Sequence, residues 1–372
     1  MNILQVIPEL DAGGAERTTI EVAEAVVRAG GRCLVASRGG RLEGELSAAG
    51  GELVRLDMKT KNPVSLWRNA ARLARLIETE GVDIVHARSR APAWSAKWAA
   101  RRTGRAFVTT YHGAYNAGSA LKRRYNAVMA AGDRVIANSE FIAAHVRAEH
   151  GVGADRLRVI PRGVDLERFD PDAVAARRVA ALAARWNVQP GEALIVLPGR
   201  LTRWKGQAFF IDVLKALNTP RPVRLVCPGD AQGREAYRSE LEAAASAAGV
   251  TLVLPGHEMD MPAAYTGADL VACPSLEPEA FGRTAAEAQA MGAPVIAADH
   301  GGAREAVAHG ETGWRAAPGE IDAWREAVQA ALALDAEART KLARAGRARI
   351  TERFSAAQLQ ESTLRVYREL LE

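Results

Sequence analysis

Cysteine and long apolar runs are scarce in this chain of 372 residues. The three cysteines, Cys33, Cys227 and Cys273, lie in or at the end of apolar segments and lack the spacing of a metal site or a CxxC motif. We expect free, buried thiols in a reducing compartment. No apolar run is long enough to span a bilayer, and the N-terminal segment lacks the features of a signal peptide. The sequence therefore predicts a cytoplasmic protein, peripheral at most to the inner face of the cytoplasmic membrane.

Acidic residues are absent from residues 84–132, and this absence makes the first half of the chain basic. Residues 1–165 carry a net charge of +8 and the remainder −3. The cations of the acid-free segment are Arg88, Arg90, Lys97, Arg101, Arg102, Arg105, Lys122, Arg123 and Arg124. The segment is either a solvated face or a surface for an anionic partner, such as a membrane or a phosphorylated acceptor. Few aromatic residues lie between the cations and no nucleic-acid module is present, so nucleic acid is not an expected partner.

Short β-branched runs alternate with longer amphipathic runs along most of the chain. The first half predicts strands at 3–7, 33–36, 53–56, 84–87, 106–110, 134–137 and 157–160, with helices at 15–28, 64–80, 92–102, 121–130 and 140–150. After a turn-rich linker at 161–172, strands are predicted at 194–197, 223–226, 251–254, 270–273 and 294–297, with a wholly helical tail from 321 to 372. This alternation is typical of right-handed βαβ units in a parallel, doubly wound sheet.

Length and pattern together predict two α/β domains of the Rossmann-like, doubly wound class, facing each other across a cleft. We expect an N-terminal domain over residues 1–163 and a C-terminal domain over 164–353. The last helix, 354–372, is expected to pack back on the N-terminal domain.

Two acids, Glu279 and Glu287, bracket a glycine-containing turn that follows the predicted strand 270–273. Such a turn at the start of a helix exposes backbone N–H groups that favour an anion. The acids themselves would repel a phosphate and suit hydrogen bonds from hydroxyl groups. Together these features indicate a ligand with phosphates beside hydroxylated rings, which describes a nucleotide-sugar.

Residues 199–206 (GRLTRWKG) follow the first strand of the second domain. Glycines at both ends allow close approach of a phosphate, and Arg200 and Lys205 would neutralise a diphosphate. An ordinary basic surface loop is the alternative. The presence of the acid pair after a neighbouring strand favours the diphosphate interpretation.

Three further motifs lie at turns. Residues 11–16 (DAGGAE) lack the GxGxxG spacing of a dinucleotide fold, but Gly13 and Gly14 can present backbone N–H groups to a phosphate or sugar. His112 follows the fifth strand, where it is either structural or directed into the cleft. Residues 170–172 (DPD) have the form of a metal-binding motif but lie in the linker, so we interpret them as a turn and expect no metal site.

Taken together, these motifs resemble glycosyltransferase family 4, retaining enzymes of the GT-B fold. The resemblance extends over almost the whole chain and rests on GGAE at 13–16, YHG at 111–113, ANS at 137–139, PRGVDLERF at 161–169, GRL…KG at 199–206 and the Glu-x7-Glu spacing at 279–287. Residues 2–10 and 86–90 are similar to the lipopolysaccharide-type, cell-envelope branch of the family.

The resemblance implies a role for each residue of the donor site. Arg200 and Lys205 would bind the diphosphate, Glu287 the ribose hydroxyls, and Glu279 the sugar hydroxyls. The backbone amides of Phe281 and Gly282 would assist Glu279, and those of Arg283 and Thr284 would assist the phosphate. His112 would face the transferred sugar, and Gly13 and Gly14 would contact the donor from the first domain. The family usually has an aliphatic residue in place of Arg283, so this side chain is expected to add a donor-specific contact.

The resemblance also implies a saccharide or saccharide-lipid acceptor, contacted by Glu16, Arg88 and Arg90. No cofactor is expected. The nucleotide diphosphate sugar, in which the sugar is linked to GDP or UDP, is a substrate. The transferred hexose is expected to be mannose-like. Two rival functions remain open: a nucleotide-sugar epimerase or hydrolase on the same fold, and a non-catalytic binder of anionic membranes or polysaccharides.

Overall fold

The structure, a computed structural model, describes residues 1–11, 13–115 and 118–372. Ala12, in the glycine-rich turn, and residues 116–117, in the basic segment, lie outside the described residues. The chain forms two compact units. Unit 1 consists of Met1–Arg162 and Ala356–Glu372, and unit 2 of Gly163–Ser355. The sequence placed its domain boundaries at 163/164 and 353/354.

Unit 1 contains a seven-stranded sheet in the order β3-β2-β1-β4-β5-β6-β7, with every strand pair parallel. The strands are β1 Asn2–Val6, β2 Arg32–Ser37, β3 Glu52–Arg55, β4 Ile84–Ala87, β5 Ala106–Tyr111, β6 Arg134–Ala137 and β7 Leu157–Val159. The four residues of β4 are all buried, as expected for a parallel strand covered by helices on both faces. The carboxyl ends of all seven strands therefore lie at one edge of the sheet.

Helices connect the strands of unit 1. They are α1 Gly14–Arg28, α2 Glu43–Ala48, α3 Pro63–Thr79, α4 Arg90–Thr103, α5 Ala120–Asn126 and α6 Glu140–His150. Local sequence explains where α3 and α6 begin. Asn62 caps α3 by accepting hydrogen bonds from two backbone N–H groups, and Ser139 caps α6 in the same way.

Unit 2 contains a six-stranded parallel sheet in the order β10-β9-β8-β11-β12-β13. Its strands are β8 Ala193–Val196, β9 Val223–Val226, β10 Thr251–Val253, β11 Leu270–Cys273, β12 Val295–Ala298 and β13 Trp314–Ala316. Its helices are α7 Ala176–Arg185, α8 Gln207–Lys215, α9 Glu235–Ala248, α10 Met261–Gly267, α11 Arg283–Ala290, α12 Ala303–Ala306, α13 Ile321–Leu332 and α14 Ala336–Arg353. The predicted α/β class, with two doubly wound sheets, is confirmed.

The last helix, α15 (Ala356–Arg368), belongs to unit 1. Leu359, Leu364 and Val366 are buried in the same apolar cluster as Ile3 of β1. The Tyr367 hydroxyl lies 2.6 Å from Nδ1 of the buried His86, whose Nε2 lies 2.7 Å from the Thr110 hydroxyl. His86 thus links α15 to β5 of the sheet through hydrogen bonds.

The tail from residue 321, predicted to be wholly helical, is helical apart from short breaks. Three separate helices occupy it, because Asp335 caps a new helix at α14 and the chain leaves helical geometry again at Phe354. The sequence also gave no prediction for α2 or β13. Each is short, with six and three residues, so neither is long enough to produce a clear hydrophobic period.

None of the helices, within the described residues, combines the length and apolarity needed to cross a membrane. All three cysteines are free thiols, with Cys33 and Cys227 buried and Cys273 partly buried.

Candidate functional site

In unit 2, the loop after β8 contacts the loop after β11. Gly206 has a φ of +77°, and a Cβ at this position would lie 2.0 Å from the Pro274 carbonyl oxygen, so only glycine fits without rearrangement. The Trp204 carbonyl accepts a hydrogen bond of 2.7 Å from the Leu276 N–H. This close approach positions Lys205, between Trp204 and Gly206, against the residues that follow β11.

The Lys205 ammonium donates a hydrogen bond of 2.8 Å to Oε1 of Glu279. Both side chains are largely buried, with Glu279 only 15% exposed. The Ser275 hydroxyl donates to the same oxygen. Burial by itself raises the pKa of the Glu279 carboxyl, but the Lys205 charge and these two hydrogen bonds outweigh it, so the pKa is lowered. Glu279 is therefore a buried carboxylate at neutral pH.

Glu287 lies on α11 and has a cation of its own. Arg283 Nε donates to Glu287 Oε1 at 2.8 Å, one helical turn away. The Tyr265 hydroxyl lies 3.3 Å from the other oxygen. Burial and the Glu287 charge raise the pKa of Tyr265 well above its ordinary value, which keeps this hydroxyl a hydrogen-bond donor. The Arg283 side chain, expected to contact the donor, is thus found bound to Glu287.

The N-terminus of α11 lies between the two acids in sequence. Its N-cap, Gly282, has a φ of +87°, and a Cβ there would lie 3.0 Å from Cα of Ala303. The Phe281 side chain is buried against Phe354, with 5.4 Å between ring centroids, so only its backbone can meet a ligand. First-turn amides of a helix have no partner within the helix, and the helix N-terminus favours an anion; the first turn of α11 includes Arg283 and Thr284.

Arg200 differs from Lys205. Its side chain is exposed and forms no ion pair within the part of the chain that the structure describes, whereas its carbonyl accepts a hydrogen bond of 3.0 Å from Gln207 Nε2. A hydrogen bond thus holds the Arg200 backbone, whereas its guanidinium group is not held by an ion pair. Arg200 can therefore meet an incoming phosphate without breaking an existing contact.

Three contributors to this region escaped the sequence analysis: Ser275, Tyr265 and the segment 300–302. Gly302 N–H donates to the Glu279 carbonyl at 2.8 Å, and His300 Nε2 lies 2.8 Å from the Ser275 carbonyl. Single polar residues leave no spacing signal. The dipeptide Gly301-Gly302 directly after β12 was the available indication, because a Cβ at either glycine would collide with the backbone of residues 279–281.

In unit 1, the glycine-rich turn lies at the start of α1. A Cβ at Gly14 would lie 1.4 Å from Nη1 of Arg162, so the glycine lets that guanidinium lie directly against the helix. A Cβ at Gly13 would lie 2.4 Å from Oε2 of Glu16, on the first turn of α1. Gly13, Gly14 and Glu16 are therefore close together. The donor and acceptor roles expected for them stay predictions.

His112 follows β5, and its Nδ1 lies 3.3 Å from Nη2 of Arg162. A guanidinium can only donate, so His112 accepts through Nδ1 and carries its proton on Nε2. Burial, with the charges of Arg162 and Arg88, lowers its pKa well below the ordinary value. His112 is thus a neutral hydrogen-bond donor, suited to binding a hydroxyl or an anionic oxygen.

The cations predicted to contact the acceptor are not surface groups. Arg88 is 2% exposed and donates to the Gln5 side-chain oxygen at 2.7 Å. Arg90 is partly buried, donates to Asn126 at 2.9 Å, and lies 4.2 Å from the centre of the Tyr115 ring. Counting Arg88 with a basic surface was wrong: it follows a fully buried strand, and its side chain extends into the interior.

No cluster of three or more metal-ligating side chains occurs within residues 1–11, 13–115 and 118–372. The motif at 170–172 forms a short 3₁₀ turn, Pro171–Ala173, in which Asp170 accepts from the Asp172 N–H. Asp170 also pairs with Arg347 at 3.0 Å. The predicted turn is confirmed.

Comparison with known proteins gives a family for both halves of the chain. Residues 12–168 match the model of Glycosyltransferase Family 4, and residues 180–349 match that of Glycosyl transferases group 1. A glycosyltransferase structure from Rickettsia africae has 31% sequence identity and a TM-score of 0.92, covering 100% of this chain and 98% of that one. The chain belongs to glycosyltransferase family 4.

Other similar proteins carry ligands or more specific names. The structure of HepE from Anabaena in complex with UDP-glucose has 26% identity, a TM-score of 0.86 and full coverage of both chains. A D-inositol 3-phosphate glycosyltransferase of Xylanimonas cellulosilytica is 38% identical over 245 residues, which are 64% of this chain and 58% of that protein. The chain spans about half the length of the curated relatives that it matches.

Proposed function

We propose that this family 4 protein is a retaining hexosyltransferase that takes a hexose from a nucleotide diphosphate sugar. The observation that carries the proposal is the paired arrangement in unit 2: Lys205 bound to Glu279, four residues before the N-terminus of α11. Cleavage of the bond from sugar C1 to phosphate develops positive charge on the ring and negative charge on the leaving diphosphate. Lys205, Arg200 and the α11 amides would stabilise the diphosphate through charge and hydrogen bonds.

Each acid has a hydroxyl-binding role in this proposal. Glu279 would accept hydrogen bonds from the sugar, and Glu287 from the ribose, because a buried carboxylate already neutralised by one cation can still accept from hydroxyl groups. The amides of Phe281 and Gly282 would assist Glu279. His112 would face the transferred sugar, and Gly13 and Gly14 would supply backbone N–H groups. With no carboxylate assigned as nucleophile, we propose front-face attack by the acceptor hydroxyl, the departing phosphate taking its proton.

The donor and acceptor are proposed from resemblance. A GDP-linked, mannose-like donor follows from the sequence motifs, whereas the HepE complex supports UDP-glucose as the rival. A saccharide or saccharide-lipid acceptor of the cell envelope follows from the lipopolysaccharide-type segments, with Glu16, Arg88 and Arg90 proposed to contact it. The D-inositol 3-phosphate relatives name a phosphorylated polyol as another acceptor class.

A calorimetric panel of UDP-, GDP- and ADP-sugars tests the proposal. We expect one base to bind well above the others, and Lys205→Met to abolish that binding. Absence of binding by every nucleotide would support the non-catalytic binder instead. Product analysis with donor alone separates the epimerase or hydrolase, since a transferase stays nearly idle until an acceptor is added.

Docking on an anionic membrane is a second proposal, favoured by one surface of unit 1. Trp67 on α3 and Trp98 on α4 are 67% and 39% exposed, and they border a groove of about 330 Å³ that ends at Arg102. Exposed indoles beside basic side chains are typical of interfacial surfaces. Lys122, Arg123 and Arg124 on α5 are exposed as well. Such docking would hold the protein at the inner face of the cytoplasmic membrane.

A further inference from the structure

A small polar cavity lies at the carboxyl ends of β4 to β7 in unit 1. Its volume is about 10 Å³, enough for one water molecule or one ligand oxygen. Four polar side chains at the ends of successive strands line it: Arg88, His112, Asn138 and Arg162. None of them bears a negative charge.

Arg88 places a buried positive charge at this cavity without a counter-ion. Its Nε donates to Gln5 at 2.7 Å and its Nη1 lies 3.4 Å from the Thr110 hydroxyl. Its Nη2 is buried and has no hydrogen-bond partner. No carboxylate forms an ion pair with Arg88 in the described part of the chain. Burial lowers the pKa of this guanidinium and the charge of the buried Glu21 raises it, but arginine keeps its charge in proteins, so the cavity borders a buried cation.

Asn138 and His112 add two more unsatisfied groups. Asn138 is 2% exposed, and neither its Oδ1 nor its Nδ2 has a partner. His112 Nε2, which carries the proton, is buried and lacks a partner too. Unpaired polar groups in an interior are costly and rare. Arg88, Asn138 and His112 therefore present three N–H donors, from different strand ends, to one small cavity.

We infer that this cavity binds an oxygen of an anionic group, a phosphate or a carboxylate, carried by the acceptor. A water molecule could satisfy hydrogen bonds here, but an anion would also offset the positive charge of the two guanidinium groups, Arg88 and Arg162, that line the cavity. The cavity volume admits one oxygen of the group, which would accept from Arg88 Nη2–H, Asn138 Nδ2–H and His112 Nε2–H. The inference rests on the proposed transferase function and narrows its acceptor to a negatively charged one.

The first test measures the thermal unfolding midpoint as chloride is replaced by inorganic phosphate or by acetate at constant ionic strength. The wild-type midpoint should rise to saturation with one of the two anions, and the responsive anion identifies the group. Arg88→Met should lose the response. Arg75→Met, which removes an exposed cation of the same unit, and Lys205→Met, which removes the proposed donor-phosphate cation, should both keep it.

Asn138→Asp tests the same site without removing side-chain atoms from around the cavity. It keeps the side-chain shape and supplies an internal carboxylate beside Arg88. We expect a midpoint above wild type in chloride and no further rise with phosphate or acetate. The inference is overturned if wild type lacks a saturable response to both anions, or if Arg88→Met and Asn138→Asp respond as wild type does.

Donor binding separates this inference from the proposed function. In Arg88→Met, the nucleotide-sugar Kd from calorimetry should stay within about two-fold of wild type, because Arg88 is not among the residues proposed to contact the donor. If no nucleotide-sugar binds wild type while the anion response is present, the transferase proposal fails and the anion site stands. If donor binds but the anion response is absent, the anion site fails alone.

Discussion

Lys205 and Glu279, 74 residues apart in sequence, form a 2.8 Å ion pair between the loops that follow β8 and β11. Lys205 ends a short 3₁₀ turn, Arg203–Lys205, in the first of these loops. The pair joins a cation suited to a diphosphate to a carboxylate suited to sugar hydroxyls. Loss of either partner would leave the other charge buried without compensation, which is strongly unfavourable.

Substitution of Lys205 should show whether its charge acts on the leaving diphosphate or only adds to the surface charge of unit 2. We expect Lys205→Met to lower kcat/KM for the donor by about 10²-fold or more, since it removes the nearest cation from the leaving group. Arg203 is the matched control: it lies on the same 3₁₀ turn, and its side chain is 73% exposed and pairs with Glu240. Arg203→Met should change turnover by less than two-fold, as exposed pairs contribute little. Near-wild-type turnover in Lys205→Met would show the diphosphate role to be misassigned.

Acid should destabilise unit 2 through Glu279. Its pKa is lowered in the folded state, so the unfolded chain binds the proton more readily. The stability it contributes is complete above the unfolded pKa of about 4.3 and is lost as the pH falls through the lowered folded pKa. Hydrogen exchange of the β11 amides, measured between pH 3 and 6, would report this loss of stability. Glu279→Gln should weaken the dependence of stability on pH. An unchanged pH dependence in that variant would contradict the role given to the Lys205–Glu279 ion pair.

Acid should also weaken the contact between α15 and the sheet of unit 1. Burial, with the charge of Arg88, lowers the pKa of His86 well below its ordinary value. Unfolded histidine gains a proton below about pH 6.5, so stability should fall by up to about 1.4 kcal/mol per pH unit there. Hydrogen exchange of α15 amides between pH 7.5 and 5.5 measures this. His86→Gln should reduce the slope, whereas the exposed His257→Gln should not.

Comparing alanine substitutions at two glycines of unit 2 separates the cost of a left-handed backbone from the cost of a steric clash. Gly206 and Gly233 have similar φ values, +77° and +80°, but a Cβ meets the Pro274 carbonyl at 2.0 Å only in the first case. Each change to alanine should cost about 1 kcal/mol for the left-handed backbone. Gly206→Ala should cost about 1–3 kcal/mol more, from overpacking, and weaken donor binding. Equal losses of stability in urea unfolding would contradict the close approach of the two loops.

Membrane docking predicts a salt-dependent partition onto vesicles containing phosphatidylserine. Reversal of charge at Lys122, Arg123 and Arg124 to glutamate should reduce binding by more than about 10²-fold, at about 1 kcal/mol per cation near the surface. Trp67→Ala should weaken binding at all salt concentrations, because its contribution is apolar. Neutral phosphatidylcholine vesicles are the control. If partition onto the vesicles changes neither with salt concentration nor with charge reversal, the proposed docking surface is wrong.

Several features could be predicted from local sequence because their causes are local. Strands β4, β6, β9 and β11 begin and end where their apolar runs do. The start of α11 was indicated by Gly282, which supplies a backbone conformation that other residues adopt at a cost. The alternation of strands and helices gave the fold class, because parallel sheets require crossover helices. Short elements such as β13, whose three residues show no period, could not be found this way.

The identity of the candidate site residues came from the sequence, but their partners came from the tertiary structure. Spacing placed Glu279 and Glu287 around one turn; packing then gave each acid its own cation, Lys205 from another strand end and Arg283 from the next helical turn. Composition showed a basic first half, yet only the fold decided that Arg88 is buried without a counter-ion while Lys122 is exposed. Sequence fixes which charges exist and the local backbone they favour. Burial and pairing depend on contacts between distant segments, and those are made only when the sheet assembles.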